Sequence, residues 1–427
     1  MPIFSSYTTS RQPSAVRLAQ LAFSKRTDWV DALNGAIWNV TLPMHPALQT
    51  RLQQLWNAPE FSSGIVKYAP TTWTTSCQQT FRHLIHTSTG CKESLHVCVT
   101  DGWSLAMELA ILWVWGNSWT HSHPLLLLDP AYSNYKLIAE RTGRSVIAVP
   151  RIQDDTGGFH LPDQETRETY ISKYTPHALI IIPYDNPTGQ ALPASYMLML
   201  AQLCVKYDIR FVSDEAYREL VYIPGNSSSI WSINESICPG ISGRRVSIES
   251  ASKVRNACWL RIGALVTDNA QLYGAITAEH TSNLWANVIG QYIFSWLLDQ
   301  SAEQLTARYN QQRNYYLTLM THCSVQLHTL LPWIIISPVQ AALYSVINVK
   351  NLVPVEFSAQ EFVLWCAQYG QHNGYTVLLA PLAWFFITPQ PEATYQLRLS
   401  YVETPERLEL LPEVFATLLH EYIAKNK

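Results

Sequence analysis

Short apolar runs alternate with amphipathic stretches through the middle of the chain. The runs are rich in leucine and β-branched residues and cover positions 95–100, 124–128, 145–149, 178–182, 209–213, 245–249 and 262–267. Stretches with a helical repeat of apolar positions, such as 193–207, lie between several of them. Strands that alternate with helices predict an α/β fold whose seven-stranded sheet is mostly parallel and covered on both faces. In such sheets a ligand binds beyond the carboxyl ends of the strands.

The pattern changes before about residue 65 and after about residue 300. Longer helical repeats dominate there, with separate short β-like runs at 343–349, 376–379 and 396–401. We expect these flanks, residues 1–64 and 300–427, to fold together as a smaller α+β domain. Residues 65–299 would then form the large domain that holds the sheet and binds a cofactor.

Composition narrows the classes of partner. Charged residues make up 14% of the 427 residues and apolar or aromatic residues 48%, so the chain can bury a large core. The formal net charge of −3 is spread along the chain, which disfavours nucleic acid or an anionic membrane surface as partner. Apolar stretches fall short of the roughly 20 residues that span a bilayer, and a signal-peptide pattern is missing near the N-terminus. We therefore expect a cytoplasmic protein with a small-molecule partner.

The eight cysteines and 13 histidines are scattered along the chain. The cysteines form no Cys-x-x-Cys pair, which disfavours a disulfide framework or a zinc site. The histidines show no metal-binding spacing such as His-Glu-x-x-His. We therefore predict no metal site.

Residues suited to chemistry follow several of the apolar runs. The segments are Asp101-Gly102, Asp129-Pro130, Asn186-Pro187-Thr188-Gly189, Asp214-Glu215-Ala216-Tyr217 and Ser250-Ala251-Ser252-Lys253. A lysine at a strand end, such as Lys253, can form a Schiff base with a cofactor aldehyde, while serines and Arg261 suit a phosphate dianion. A buried carboxylate at Asp214 can keep a pyridinium nitrogen protonated. Asn186 and Tyr217 can hydrogen-bond a phenolate oxygen on the same ring.

These motifs, in this order, resemble those of the fold type I pyridoxal-phosphate enzymes and, within them, the class I/II aminotransferases typified by aspartate aminotransferase. The resemblance runs from about Tyr68 to Arg398. Asn186 precedes Asp214 by 28 residues and Lys253 precedes Arg261 by 8, and both spacings match the family pattern.

The resemblance implies pyridoxal 5′-phosphate as the cofactor and gives several residues a role. Lys253 would hold it as an internal aldimine and shuttle the proton, and Asp214 would pair with the pyridine nitrogen. Tyr132 would stack on the ring, and Asn186 and Tyr217 would bind its phenolate oxygen. The phosphate would be bound by the side chains of Ser250, Ser252 and Arg261 and by the backbone amides of Gly102, Trp103 and Ser104 at a helix N-terminus.

The resemblance also implies how substrate and subunits are arranged. Arg398, in Arg-Leu-Ser-Tyr, would grip the α-carboxylate of an L-amino acid as a bidentate fork, with Asn186 beside it. A homodimer with shared active sites is expected, in which Tyr68 reaches the phosphate of the neighbouring subunit.

Two departures from the family pattern bear on the reaction. Trp73 and Trp259 stand where the family usually carries glycine, which lets backbones approach closely. The two tryptophans therefore predict a rebuilt pocket wall, unless they only fill core space.

Three functions follow from these observations. We expect an aminotransferase that moves an amino group from an L-α-amino acid to a 2-oxo acid. The alternative is a cyclase or lyase of specialised amino-acid biosynthesis on the same fold, which eliminates and cyclises an arginine derivative as capreomycidine and enduracididine synthases do. A ligand-sensing regulator is a minor alternative, because the 60-odd residues before the fold lack room and a basic face for a helix-turn-helix domain.

Overall fold

The computed structural model describes residues 13–37, 40–70, 73–113, 120–225 and 227–425. The helices of these ranges are α1 (Ala15–Phe23), α2 (Pro46–Gln53), α3 (Thr75–Thr89), α4 (Trp103–Trp113), α5 (Asn134–Arg141), α6 (Gln164–Tyr174), α7 (Ala194–Lys206), α8 (Ala270–His280), α9 (Val288–Phe294), α10 (Ala302–Leu330), α11 (Ala359–Gln368) and α12 (Pro405–Lys425). The strands are β1 (Asp31–Asn34), β2 (His96–Thr100), β3 (Thr120–Asp129), β4 (Arg144–Pro150), β5 (Ala178–Ile181), β6 (Arg210–Asp214), β7 (Arg245–Ser250), β8 (Gly263–Thr267), β9 (Ile335–Ile336), β10 (Tyr344–Asn348), β11 (Tyr375–Leu378), β12 (Ala380–Pro381) and β13 (Gln396–Ser400).

The central sheet has seven strands in the order β2-β8-β7-β6-β5-β3-β4. Neighbours from β7 to β4 are parallel, whereas β8 runs antiparallel to both β2 and β7. The prediction of a mostly parallel seven-stranded sheet is confirmed, and each predicted apolar run coincides with one strand. Strands covered on both faces read as continuous apolar runs, and Leu125 to Leu128 in β3 are all buried.

The reversed strand β8 brings a loop to the carboxyl edge of the sheet. Gly263, at its start, pairs with Thr100 at the end of β2 and with Ser250 at the end of β7. A Cβ at Gly263 would lie 2.6 Å from the carbonyl carbon of Gly102 and 2.9 Å from the oxygen of Glu249, so only glycine lets these backbones meet. The loop before β8 therefore sits beside the loops that follow β2 and β7.

The two flanks of the chain meet in a second region. Strand β1 pairs in parallel with β11, and α1 packs against α11, so residues near the N-terminus are joined to the C-terminal part. Strands β12, β13, β10 and β9 form a small antiparallel sheet. The β-like runs predicted after residue 300 are β10, β11 and β13. The domain division at residues 64/65 and 299/300 remains a prediction.

No helix in the part of the chain that the structure describes combines the length and the apolar character needed to cross a bilayer.

Candidate active site

A cavity of about 360 Å³ opens at the carboxyl edge of the central sheet. Its volume lies in the range of small-molecule sites. The predicted site residues that line it are Trp103, Ser104, Tyr132, Asn186, Asp214, Tyr217, Ser250, Ser252, Lys253 and Arg261. They come from loops far apart in the sequence, and they meet because parallel strands end at one edge and β8 begins there. We call the part around Lys253, Asp214, Asn186 and Tyr217 the lysine end, and the part around Gly102, Ser104, Ser250, Ser252 and Arg261 the arginine end.

Lys253 follows β7 and is buried, with 8% of its surface exposed. Burial lowers the pKa of its amine to about 7. The positive charges of Arg398 and Arg261 act in the same direction, while the neighbouring Cys258 thiol opposes them. A substantial fraction of the amine is therefore uncharged near neutral pH, as a nucleophile or a base must be.

Asp214, the last residue of β6, is buried and held by three donors. The Tyr135 hydroxyl and the Trp103 indole N–H each donate to its Oδ2 at 2.7 Å, and the Ala216 amide donates to Oδ1 at 3.1 Å. Burial raises the pKa of Asp214 to about 6. The negative charge of the nearby Glu249 also raises this pKa, whereas the three hydrogen bonds lower it. Sequence reasoning missed Tyr135, although it lies only three residues after Tyr132.

Arg398, on β13, is fully buried. Its Nη1 donates to Oδ1 of Asn186 at 3.0 Å and its Nη2 donates to the carbonyl oxygen of Ala36 at 2.6 Å. The guanidinium also lies 4.7 Å from the ring centre of Tyr344 and 4.9 Å from that of Phe385. Burial lowers the pKa of Arg398. Arg398 thus contacts Asn186, which lines the cavity, but is not itself among the lining residues, and its role toward a substrate carboxylate remains a prediction.

Tyr217 is held by a second tyrosine that the sequence did not single out. Its hydroxyl lies 2.7 Å from the hydroxyl of Tyr344, which comes from β10. Both rings are buried, and burial raises the pKa of Tyr217 well above its usual value. The Tyr217 hydroxyl therefore stays protonated at physiological pH.

The arginine end collects donors and a cation. Arg261 is exposed, and its guanidinium donates to the carbonyls of Asp101 at 3.2 Å and Cys258 at 3.3 Å. Gly102 has a φ of +83°, and a Cβ there would collide with the Arg261 guanidinium. Helix α4 begins at the next residue, so its unpaired amides and its dipole favour an anion at this point.

Three further residues named from the sequence, Tyr68, Trp259 and Trp73, lie in different surroundings. Tyr68 is 77% exposed and outside the cavity, so its predicted contact with a neighbouring subunit remains a prediction. Trp259 is 93% exposed and lines the cavity, and its effect on the shape of the pocket remains a prediction. Trp73 is instead buried, packing edge-on against Trp285 at 5.2 Å, and fills core space. The φ of Trp73 is +62°, in the left-handed region that favours glycine. The tryptophan therefore occupies a backbone conformation that glycine adopts more readily.

Cys258 is a further lining residue that sequence reasoning left out. All eight cysteines are free thiols, and the other seven are buried.

Comparisons with known proteins agree with this fold. The probable N-succinyldiaminopimelate aminotransferase DapC of Mycobacterium tuberculosis is 29% identical over 139 residues, 33% of this chain and 33% of that protein. Arginine–pyruvate transaminase AruH of Pseudomonas aeruginosa is 29% identical over 142 residues, 33% of this chain and 34% of that protein. The chain thus matches about a third of the length of these curated relatives.

A solved structure and a family model extend the likeness over most of the chain. A single mutant of the Thermus thermophilus aspartate aminotransferase superposes with a TM-score of 0.81 at 20% identity, covering 98% of this chain and 100% of that one. At that identity the likeness establishes the fold. The family model for aminotransferase class I and II matches residues 61–409. The chain therefore belongs to the aminotransferase class I and II family.

Proposed function

We propose that the protein is a pyridoxal 5′-phosphate-dependent aminotransferase that moves the amino group of an L-α-amino acid to a 2-oxo acid. The observation that carries the proposal is the gathering of a buried lysine, a buried carboxylate and a helix start suited to an anion at one cavity. Each group suits a different part of the same cofactor. The names of the curated relatives described above, a probable aminotransferase and a transaminase, support the same reaction class.

The donor set of the cavity fits this cofactor. When bound, it supplies an aldehyde that condenses with amines and a ring that withdraws electrons from the substrate α-carbon. The phosphate fits the arginine end, where Ser250, Ser252, Arg261 and the amides of Gly102, Trp103 and Ser104 would bind it. Gly102 and Gly263 keep that end open, because side chains there would collide with Arg261 or with backbone.

At the lysine end each group has a defined task. Lys253 Nζ would bind the aldehyde carbon and, once released as an amine, take the α-proton of the substrate, since its pKa of about 7 lets it accept and give protons near neutral pH. Asp214 would accept a hydrogen bond from the ring nitrogen. Asn186 and Tyr217 would donate to the phenolate oxygen, and Tyr132 would cover the face of the ring.

Arg398 would orient the substrate. Its planar fork suits an α-carboxylate, and its bond to Asn186 links the carboxylate position to that of the ring oxygen. A homodimer is part of the proposal. Its shared site would receive the exposed Tyr68 from the adjoining subunit, at the phosphate.

The test uses one amino donor at a time, without a 2-oxo acid. An aminotransferase converts its cofactor once to the amine form, releases one equivalent of 2-oxo acid and stops; adding a 2-oxo acid then restores the aldehyde form. Absorbance of the cofactor and the amount of 2-oxo acid are followed for a panel of L-amino acids that includes arginine and hydroxylated arginines. Continued product formation from one amino acid alone, with the aldehyde form persisting, would contradict the proposal and favour the cyclase or lyase.

A further inference from the structure

We propose that Trp103 is a positioning residue for Asp214, whose indole N–H keeps the carboxylate oriented and ionised for the nitrogen of a bound pyridine ring. The inference rests on the proposed function, because it concerns the same cofactor. Sequence reasoning gave Trp103 a part only through its backbone amide. The side chain reaches the opposite end of the cavity.

The contact is short and the ring is held in place. Trp103 is the first residue of α4, and its Nε1 donates to Oδ2 of Asp214 at 2.7 Å. The ring centre of Tyr132 lies 5.3 Å away in an edge-on arrangement, and that of Tyr135 lies 5.8 Å away. Aromatic neighbours at these distances stabilise one ring orientation. The indole N–H is therefore aimed at the carboxylate by packing on two sides.

The direction of the hydrogen bond matters. An indole N–H is a donor only, whereas the Tyr135 hydroxyl, which shares Oδ2, can donate or accept. Trp103 can therefore only donate to Oδ2, and this donation favours the ionised carboxylate over the neutral acid, because a charged oxygen is the stronger acceptor. Together the two side chains occupy both lone pairs of Oδ2, and the Ala216 amide takes one of Oδ1. One lone pair, on Oδ1, remains for a ring nitrogen.

The electrostatic surroundings make this donor consequential. Burial raises the pKa of Asp214 to about 6, and the hydrogen bonds from Tyr135, Ala216 and Trp103 oppose that rise. The titratable groups that act on it are Tyr132, Tyr135, Tyr217, Tyr344 and Glu249. Glu249 disfavours the ionised carboxylate. Loss of the indole N–H therefore raises the pKa of Asp214. As the pH is lowered, cofactor binding that needs the ionised carboxylate then begins to weaken at a higher pH than in the wild type.

The experiment measures binding and no turnover. Pyridoxamine 5′-phosphate is used because it lacks the aldehyde that reacts with Lys253, and its dissociation constant is determined by equilibrium dialysis from pH 5.5 to 8.5. The variants are Trp103→Phe, Tyr135→Phe as the second donor to Oδ2, and Trp333→Phe as control, since Trp333 is 69% exposed away from the cavity. A second probe is the analogue whose ring nitrogen is replaced by C–H.

We expect Trp103→Phe to weaken pyridoxamine 5′-phosphate about tenfold at pH 7, the effect of losing one hydrogen bond to a charged group. As the pH is lowered, binding to Trp103→Phe should fall off at a higher pH than binding to the wild type. The carbon analogue, which cannot use Asp214, should bind the wild type and Trp103→Phe equally, and Trp333→Phe should match the wild type with both probes.

Several results would overturn the inference. Equal weakening of both probes would mean that Trp103 only packs, and tighter binding by Trp103→Phe would mean that the indole competes with the ring. Unchanged binding would remove any role. Failure of the wild-type protein to bind pyridoxamine 5′-phosphate would instead overturn the proposed function itself, which separates the two.

Discussion

The lysine end and the arginine end of the cavity lie at the same edge of one sheet, yet they obtain their properties in different ways. At the lysine end, burial brings the pKa of Lys253 to about 7 and that of Asp214 to about 6, so both groups titrate close to physiological pH. At the arginine end, Arg261 is exposed and the other donors include the amides at the start of α4. Burial thus creates reactive groups at one end, whereas fixed charge and a helix dipole create an anchor at the other.

Removing the amine of Lys253 tests the reactive role of the lysine end and has the largest expected effect. Lys253→Ala should lose the borohydride-reducible link to the cofactor and lower turnover by several orders of magnitude, because a covalent catalyst is lost. The phosphate anchor is untouched, so the variant should still retain pyridoxamine 5′-phosphate. Peptide mapping after reduction of the wild type checks the site. Attachment of the cofactor to another lysine would refute the assignment.

Removing the carboxylate tests the other titrating group. Asp214→Ala should leave some cofactor bound through the arginine end but slow α-proton removal by on the order of a hundredfold or more, since the ring then loses its charged partner. Exchange of the α-proton of a deuterated substrate measures this step directly. Near-normal exchange rates in the variant would be incompatible with the role given to Asp214.

The cost of burying Lys253 can be measured without the cofactor. Its folded pKa, about 7, is below the unfolded value, so the amine costs no stability at pH above about 10.5, and stability is lost as pH falls toward 7. Lys253→Met should therefore stabilise the cofactor-free protein on the order of a few kcal/mol at pH 7 and much less at pH 10. Urea unfolding at several pH values tests this. A gain independent of pH would show that folding does not lower the pKa of Lys253.

The strands and many of the site residues could be predicted from the sequence, but several contacts within the site could not. Strand runs such as 178–182 were predictable because strands covered on both faces are continuously apolar, and the residues that follow them then share an edge. The reversal of β8 had no local signal, although it places Arg261. The contact of Trp103 with Asp214 joins residues 111 positions apart and depends on tertiary packing. Residue type likewise could not separate the buried Trp73 from the exposed Trp259.

Substrate binding should depend on the planar guanidinium of the buried Arg398. Arg398→Lys keeps the charge but loses the planar pair of donors, so every amino-acid substrate should bind about 1.5–3 kcal/mol more weakly, with little loss of cofactor. Apparent affinities across a substrate panel check the first part, and absorbance of the bound cofactor checks the second. An unchanged panel would rule out the carboxylate role.

The smallest effect is expected at the arginine end, and salt distinguishes it from the others. Because Arg261 is exposed, its attraction to a phosphate is screened by ions over about 10 Å at 0.1 M salt. Arg261→Gln should weaken pyridoxamine 5′-phosphate about fivefold at low salt and hardly at all at high salt, in keeping with the modest strength of exposed ion pairs. Pyridoxamine without the phosphate, measured by the same dialysis, should bind both proteins equally. Any weakening of pyridoxamine 5′-phosphate binding in Asp214→Ala should persist at high salt, because a buried contact is screened much less. If salt altered both losses alike, the contrast between a buried reactive end and an exposed anchoring end would be wrong.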